Sequence, residues 1–162
     1  MSIYNDKILR LGNPSLHEVS RSVKKSELVE LNLIIKDLHE VLMDFREKYG
    51  AGRAIAAPQI GVLKRVIYLN IDKPVVLINP ELFDLSPEMI EIWDDCLCFP
   101  ELFVRVLRHK TCKICFLDLN WKAQEWNLTG DLSELVQHEY DYLDGVLATQ
   151  RVIDNKSFRW KI

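Results

Sequence analysis

The segment HEYDYLDG, residues 138–145, sets His138, Glu139 and Tyr142 where a helix would gather them on one surface. Residues four apart are neighbours on a helix. Two imidazoles at that spacing can hold one metal ion, and a carboxylate beside the first can take the proton of a metal-bound water. Here the second imidazole position is Tyr142, so the segment keeps only His138 and Glu139. By itself, a single His next to a Glu on a helix is ordinarily a structural or surface feature. Two other stretches bear on the reading. In GAGRAIAAPQIGV, residues 50–62, small side chains let backbone pass close to a ligand or another element. Gln59 then follows a proline and carries an amide that can donate and accept hydrogen bonds. In WDDCLCFPEL, residues 93–102, Cys96 sits between strands, either as a ligand or as a small apolar filler.

The other candidates are weaker. CKIC, Cys112 to Cys115, has the short spacing of a zinc knuckle or redox pair. On a strand, though, residues three apart face opposite sides, which makes a shared ion awkward. His109 follows Arg108 at the end of a strand and reads as solvated or strand-edge, and His17 and His39 lie in the N-terminal third.

Positioning such residues takes a folded core. The chain has 162 residues, nearly half of them apolar, which suits one domain over residues 1–162. A net charge of −3 gives no electrostatic reason to expect nucleic acid or an anionic membrane. No apolar run is long enough to span a bilayer, and MSIYNDKILRLG lacks a signal peptide's apolar centre, so a cytoplasmic location is the default expectation. In a reducing compartment the four cysteines are thiols or ligands rather than disulfides. SELVELNLIIKDLHEVLMDFREKYG predicts a helix with Leu31, Ile34, Leu38, Val41, Leu42 and Phe45 at helical spacing, Ser26 as its cap and Gly50 at its end. From RVIYLN to CKICFLDL the pattern predicts several short strands, one of them PVVLINPEL ended by Asn79-Pro80. TGDLSELVQHEYDYLDG predicts a second helix with Asp131 as N-cap and Glu134 completing a capping box. Helix, strands, helix is an α+β order.

The three chemical stretches, in this order and spacing, resemble the peptide deformylase family over nearly the whole chain. ILRLGNPSL looks like the family's N-terminal segment, and GRAIAAPQIGV is similar to its first motif, Gly-x-Gly-x-Ala-Ala-x-Gln. DDCLCFPEL is similar to the second, Glu-Gly-Cys-Leu-Ser, and HEYDYLDGVL to the third, His-Glu-x-x-His followed by Leu-Asp-Gly. The resemblance implies short mixed strands around a central helix that carries the third motif. It implies removal of the formyl group from N-formylmethionyl peptides by a divalent metal, iron or zinc. Carried over by position, the ligands are Cys96, His138 and, in the place of the second histidine, Tyr142. Glu139 would move the proton, while the Gln59 side chain and the Leu97 backbone N–H would polarise the formyl oxygen. Gly52, Ala54, Ile55 and Asp95 would line the substrate cleft.

The chain departs from the pattern. Ala54 stands for the second Gly of the first motif, and Asp94, Asp95 and Cys98 stand for Glu, Gly and Ser of the second. On an extended chain Asp95 should point away from the face of its neighbour Cys96. Tyr142 is the serious departure. A phenol, with a reference pKa of about 10, is protonated where an imidazole offers a lone pair, and it is longer. If a four-ligand zinc is worth roughly 10–16 kcal/mol, one ligand is worth about 3 kcal/mol, on the order of a hundredfold in affinity. The expected cofactor is therefore a weakly held iron or zinc, or none if the site is dead. Three readings stand. One is a relative that keeps fold and cleft but not ordinary metal-hydroxide chemistry, and acts as a binding, accessory or gatekeeping partner in a specialised pathway. Another is a working amidohydrolase with altered ligation and substrate, and the last is a deformylase that tolerates Tyr. The expected ligand is an N-acylated peptide or small acyl-amide, with a protein partner as a further option.

Overall fold

The computed structural model describes residues 2–161. A short helix α1 (Ile3–Lys7) leads to the long helix α2 (Leu28–Tyr49). Strands β1 (Ala54–Ala56), β2 (Val66–Asn70), β3 (Pro74–Phe83), β4 (Met89–Cys96), β5 (Phe99–His109), β6 (Thr111–Leu117) and β7 (Ala123–Thr129) follow. Helix α3 (Gly130–Leu143) and a last strand β8 (Phe158–Trp160) complete the chain. One sheet runs β1-β2-β3-β6-β7 and the other β4-β5-β8, with antiparallel pairing throughout both.

The buried residues of α2 are the six of its apolar stripe, Leu31, Ile34, Leu38, Val41, Leu42 and Phe45. The helix ends at Gly50, whose φ of 67° is the left-handed C-cap conformation. Its start differs from expectation. Lys25–Glu27 form a 3₁₀ turn that includes Ser26, and Glu27 is the N-cap residue, its carboxylate accepting the Lys24 N–H at 2.7 Å. That carboxylate also pairs with Arg21 at 2.7 Å, and no side chain caps the first turn of α2, so the hydroxyl cap expected of Ser26 is not made.

β3 runs straight through Asn79-Pro80 instead of ending there. The register shifts between Ile78 and Glu81, and Asn79 adopts a φ of 49°. A bulge absorbs the proline, which has no N–H to give to the ladder. The Asn79 amide clamps Val23, accepting its N–H at 2.8 Å and donating to its carbonyl at 2.9 Å.

α3 packs against β1, β5 and β7. Burial on almost every side follows from that central place, and Ser133, Glu134, Gln137, His138, Glu139 and Asp141 are buried along with Leu135 and Leu143. Its N-terminus has no capping box. Thr129 is the N-cap residue, no side chain caps it, and Asp131 lies in the first turn. Glu134 is drawn off to an ion pair with Arg53 at 2.8 Å. Among the described residues, no helix is long and apolar enough to cross a membrane.

Candidate active site

α3 delivers His138, Glu139 and Tyr142 to one region. His138 and Tyr142, four residues apart, stand with ring centroids 5.6 Å from each other. His138 Nδ1 meets Asp94 Oδ2 at 2.6 Å, which leaves Nε2 as the imidazole's outward atom. Asp94 also faces the Arg108 guanidinium at 3.6 Å. Burial alone would push the Asp94 carboxyl up, but His138 and Arg108 outweigh it and hold it below the usual carboxylate range. Burial likewise works against a charged imidazole. The Asp94 carboxylate prevails, and the His138 pKa rises to about 9. Glu139 is 3% exposed, and one of its carboxylate oxygens has no hydrogen-bond partner. Burial pushes its pKa up to about 7 against the pull of His138.

The turn between β4 and β5 brings the sulfur. Pairing runs from Asp94 with Val104 to Cys96 with Phe99, so the ladder breaks at this turn. The break overturns the expected alternation, and Asp95 lines the same cleft as Cys96. Asp95 also pairs with Lys161. Tyr4 donates its hydroxyl to the Leu97 carbonyl at 2.7 Å and so ties the turn to α1.

Gln59 enters from the 3₁₀ turn after β1. Its Oε1 accepts the Ala56 N–H at 2.7 Å, which fixes the amide and aims Nε2 at the sulfurs of Cys96, 3.4 Å away, and Cys98, 3.5 Å away. Tyr142 Oη lies 3.0 Å from Cys96 Sγ. Burial raises the Cys96 thiol well above its ordinary value and does the same to the Tyr142 phenol. For Cys98, hydrogen bonds from its neighbours outweigh burial and bring the thiol below its usual value.

A cleft of about 260 Å³ opens over this cluster. Cys96, Leu97, His138 and Glu139 face it, with Gly52, Ala54 and Asp95 on its walls and Phe45 and Leu135 as apolar lining. Ile55, expected on the cleft, is instead fully buried in the core between Ala54 and Ala56. Neighbouring side chains on a strand point to opposite faces, so Ala54 and Ile55 cannot both face the ligand.

A family model described as polypeptide deformylase matches residues 5–158. The chain belongs to the peptide deformylase family. A peptide deformylase of Pseudothermotoga lettingae is 35% identical over 153 residues, covering 94% of this chain and 85% of the relative. The structure of a peptide deformylase from Synechococcus elongatus in complex with actinonin aligns with a TM-score of 0.83 and 28% identity, over 93% of this chain and 80% of that one. The Met-Ala-Ser-bound peptide deformylase of Acinetobacter baumannii aligns with a TM-score of 0.82 and 28% identity, over 90% and 96%.

The family's metal can be tested against these residues. Among the described residues, no group of three His, Cys, Asp or Glu side chains is placed to hold a metal ion. At the position where the resemblance implies a third ligand, the phenol is hydrogen-bonded to the sulfur of Cys96, itself a ligand only by that resemblance. Both groups are driven toward their protonated forms by burial, and a metal needs them deprotonated. The donor set therefore does not fit the ion that a Cys-His-His peptide deformylase site holds.

Sequence reasoning gave no role to Arg108, Arg53 or Tyr4. Arg108 and Arg53 pair with carboxylates distant in the chain, and Tyr4 reaches a backbone carbonyl, so no local pattern announces them.

Proposed function

We propose that this chain keeps the acyl-peptide cleft of a peptide deformylase, while ordinary deformylation of N-formylmethionyl peptides is weak or lost. The observation that carries this reading is the 3.0 Å contact between Tyr142 Oη and Cys96 Sγ. It puts a protonated phenol against the sulfur, in the position where a second imidazole would open the pair to a metal. The cleft remains suited to an N-acylated peptide or small acyl-amide. Its small-residue wall at Gly52 and Ala54 admits extended backbone, and Phe45 and Leu135 offer apolar contact. The Met-Ala-Ser held by the Acinetobacter baumannii enzyme supports a peptide occupant. The protein then acts by binding, as an accessory or gatekeeping component of a specialised pathway, and its free thiols suit a cytoplasmic setting.

One observation favours a second reading, an active amidohydrolase with altered ligation. Glu139 keeps a buried, unpartnered carboxylate oxygen and a pKa of about 7, which equips it to take up and release a proton near neutrality.

Metal content and turnover of a formyl-methionyl peptide, measured on wild type and Tyr142→His side by side, separate the two. We expect wild type to hold substoichiometric metal and to turn over at least about a hundredfold more slowly than an intact-motif enzyme. Tyr142→His should bind zinc or nickel tightly and gain activity. A wild type that carries one metal per chain and turns over would overturn the binding role in favour of the altered hydrolase. A variant that takes up metal yet stays inactive would place a further defect in the cleft walls, with Asp95 and Ala54 the first to revert.

A further inference from the structure

Cys98 has no part in the function proposed above, yet it belongs to the same buried cluster. The Gln59 amide nitrogen reaches both sulfurs, at 3.4 Å for Cys96 and 3.5 Å for Cys98, so the two thiols converge on one point. The Cys98 backbone N–H donates to Cys96 Sγ at 3.5 Å, which shows the Cys96 side chain folded over the turn toward its neighbour. Two residues along a chain span at most about 7 Å, and a turn shortens that, so the backbone already holds both cysteines within bridging range. Tyr4 pins the intervening Leu97 carbonyl at 2.7 Å and so fixes the backbone between the two thiols. Cys112 and Cys115 offer a built-in contrast. They sit three residues apart on β6, one buried and the other half-buried, and their side chains leave opposite faces of the strand.

We propose that Cys96 and Cys98 form a reversible disulfide, driven by hydrogen peroxide that enters through the cleft. Cys96 is the member of the pair that lines that cleft. Its sulfur attacks one peroxide oxygen, the O–O bond breaks, the thiol proton passes to the departing oxygen, and Cys96 becomes a sulfenic acid with release of one water. The Cys98 sulfur then attacks the Cys96 sulfur, the S–O bond breaks, and a second water leaves. Two thiols and one peroxide give one disulfide and two waters. The product takes from Gln59 and Tyr142 the thiol they contact and closes a ring across Leu97, so oxidation reshapes the floor of the cleft. The proposal rests on the reading that no metal holds Cys96, and metal content measured on the same sample keeps the two apart.

The experiment titrates the purified full chain with hydrogen peroxide, quenches with acid, denatures, and counts free thiols by alkylation and peptide mass. We expect Cys96 and Cys98 to lose alkylation together, their peptide to lose two hydrogens in mass, and dithiothreitol to reverse both changes. Cys112 and Cys115 should stay alkylatable throughout. In Cys98→Ser, a near-isosteric change whose folding circular dichroism checks, the mass loss should vanish and a dimedone adduct should appear on Cys96. Oxidation of Cys96 onward to sulfinic acid with Cys98 still free, or a bridge at Cys112–Cys115 instead, would overturn the proposal. If the isolated protein carries one metal per chain, the binding role above falls, and the same titration after chelation decides the disulfide alone.

Discussion

Asp94 holds the ionisation of the site in place. It stands 2.6 Å from His138 Nδ1 and 3.6 Å from Arg108, on a side chain that is itself buried. Because the His138 pKa is raised in the folded protein to about 9, above its unfolded value near 6.5, the pair stabilises the fold fully below about pH 6.5. That contribution, on the order of 3 kcal/mol, fades as pH rises through about 9. Asp94 has the opposite sense. Its lowered pKa gives stability that is lost as pH falls through the acid range. We therefore expect Asp94→Asn to bring the His138 titration, followed by NMR, down from about 9, since burial and Arg108 would then be opposed only by the pull of Glu139. The alkaline loss of stability between those two pH values should disappear with it. An imidazole that fails to titrate in wild type would mean that something other than Asp94 fixes its proton.

Helix α3 and the turn that follows it carry most of what could be read in advance. The 3.6-residue period placed His138 and Tyr142 side by side, and the ring separation of 5.6 Å agrees. The capping box was not there, because Glu134 had a stronger partner in Arg53, and no periodicity reveals a cation 81 residues away. The two ladder breaks were equally hidden. An Asn-Pro pair looks the same in sequence whether it ends a strand or bulges it, and Asn79 bulges it because Val23 supplies both halves of its clamp. Gly145, after α3, was visible only as part of a motif. A Cβ there would meet the His17 carbonyl oxygen at 2.4 Å, at a φ of 71°. Gly50 has nearly the same φ, 67°, with nothing near its missing Cβ. Urea denaturation of the two alanine variants should thus split. Gly50→Ala should cost about 1 kcal/mol for the left-handed backbone alone, and Gly145→Ala at least about 2 kcal/mol more. Equal losses would show that the segment around His17 yields easily.

The β4-β5-β8 sheet and α3 are joined by charge as well as by apolar contact. Arg108, 2% exposed on β5, donates to Asp141 of α3 at 2.6 Å and faces Asp94 of β4. Arg151 meets the same Asp141 at 2.7 Å from the segment beyond the helix. The Arg108–Asp94 approach is an ion pair without a hydrogen bond, so Nε and Nη2 of the guanidinium have no hydrogen-bond partner. Breaking such a buried network by removing one member is costly, because the partners remain charged and dry. Arg108→Met should lose about 3–5 kcal/mol of unfolding free energy, read by chemical denaturation, and should weaken the hold on His138 through Asp94. A loss under about 1 kcal/mol would mean that water already reaches the network. The α+β layout and the clustering of the three motifs were legible because they follow from periodicity and motif order. This network was not, because its members come from four elements and pair across the chain.

The cluster around Cys96 gathers contacts that lie far apart along the polypeptide. Gln59 is 37 residues before Cys96, Tyr142 is 46 after it, and the Tyr4 hydroxyl that steadies Leu97 is 93 residues before its partner. Each contact closes a long loop whose entropy must be spent before any stabilisation returns. The cleft is therefore a late event in folding, complete only when the last helix has met the first. On a ribosome, the N-terminal two-thirds would emerge with Gln59 and the paired thiols still open to solvent. During that interval the cysteines face oxidants unprotected, and a growing chain has its first opportunity to mispair them.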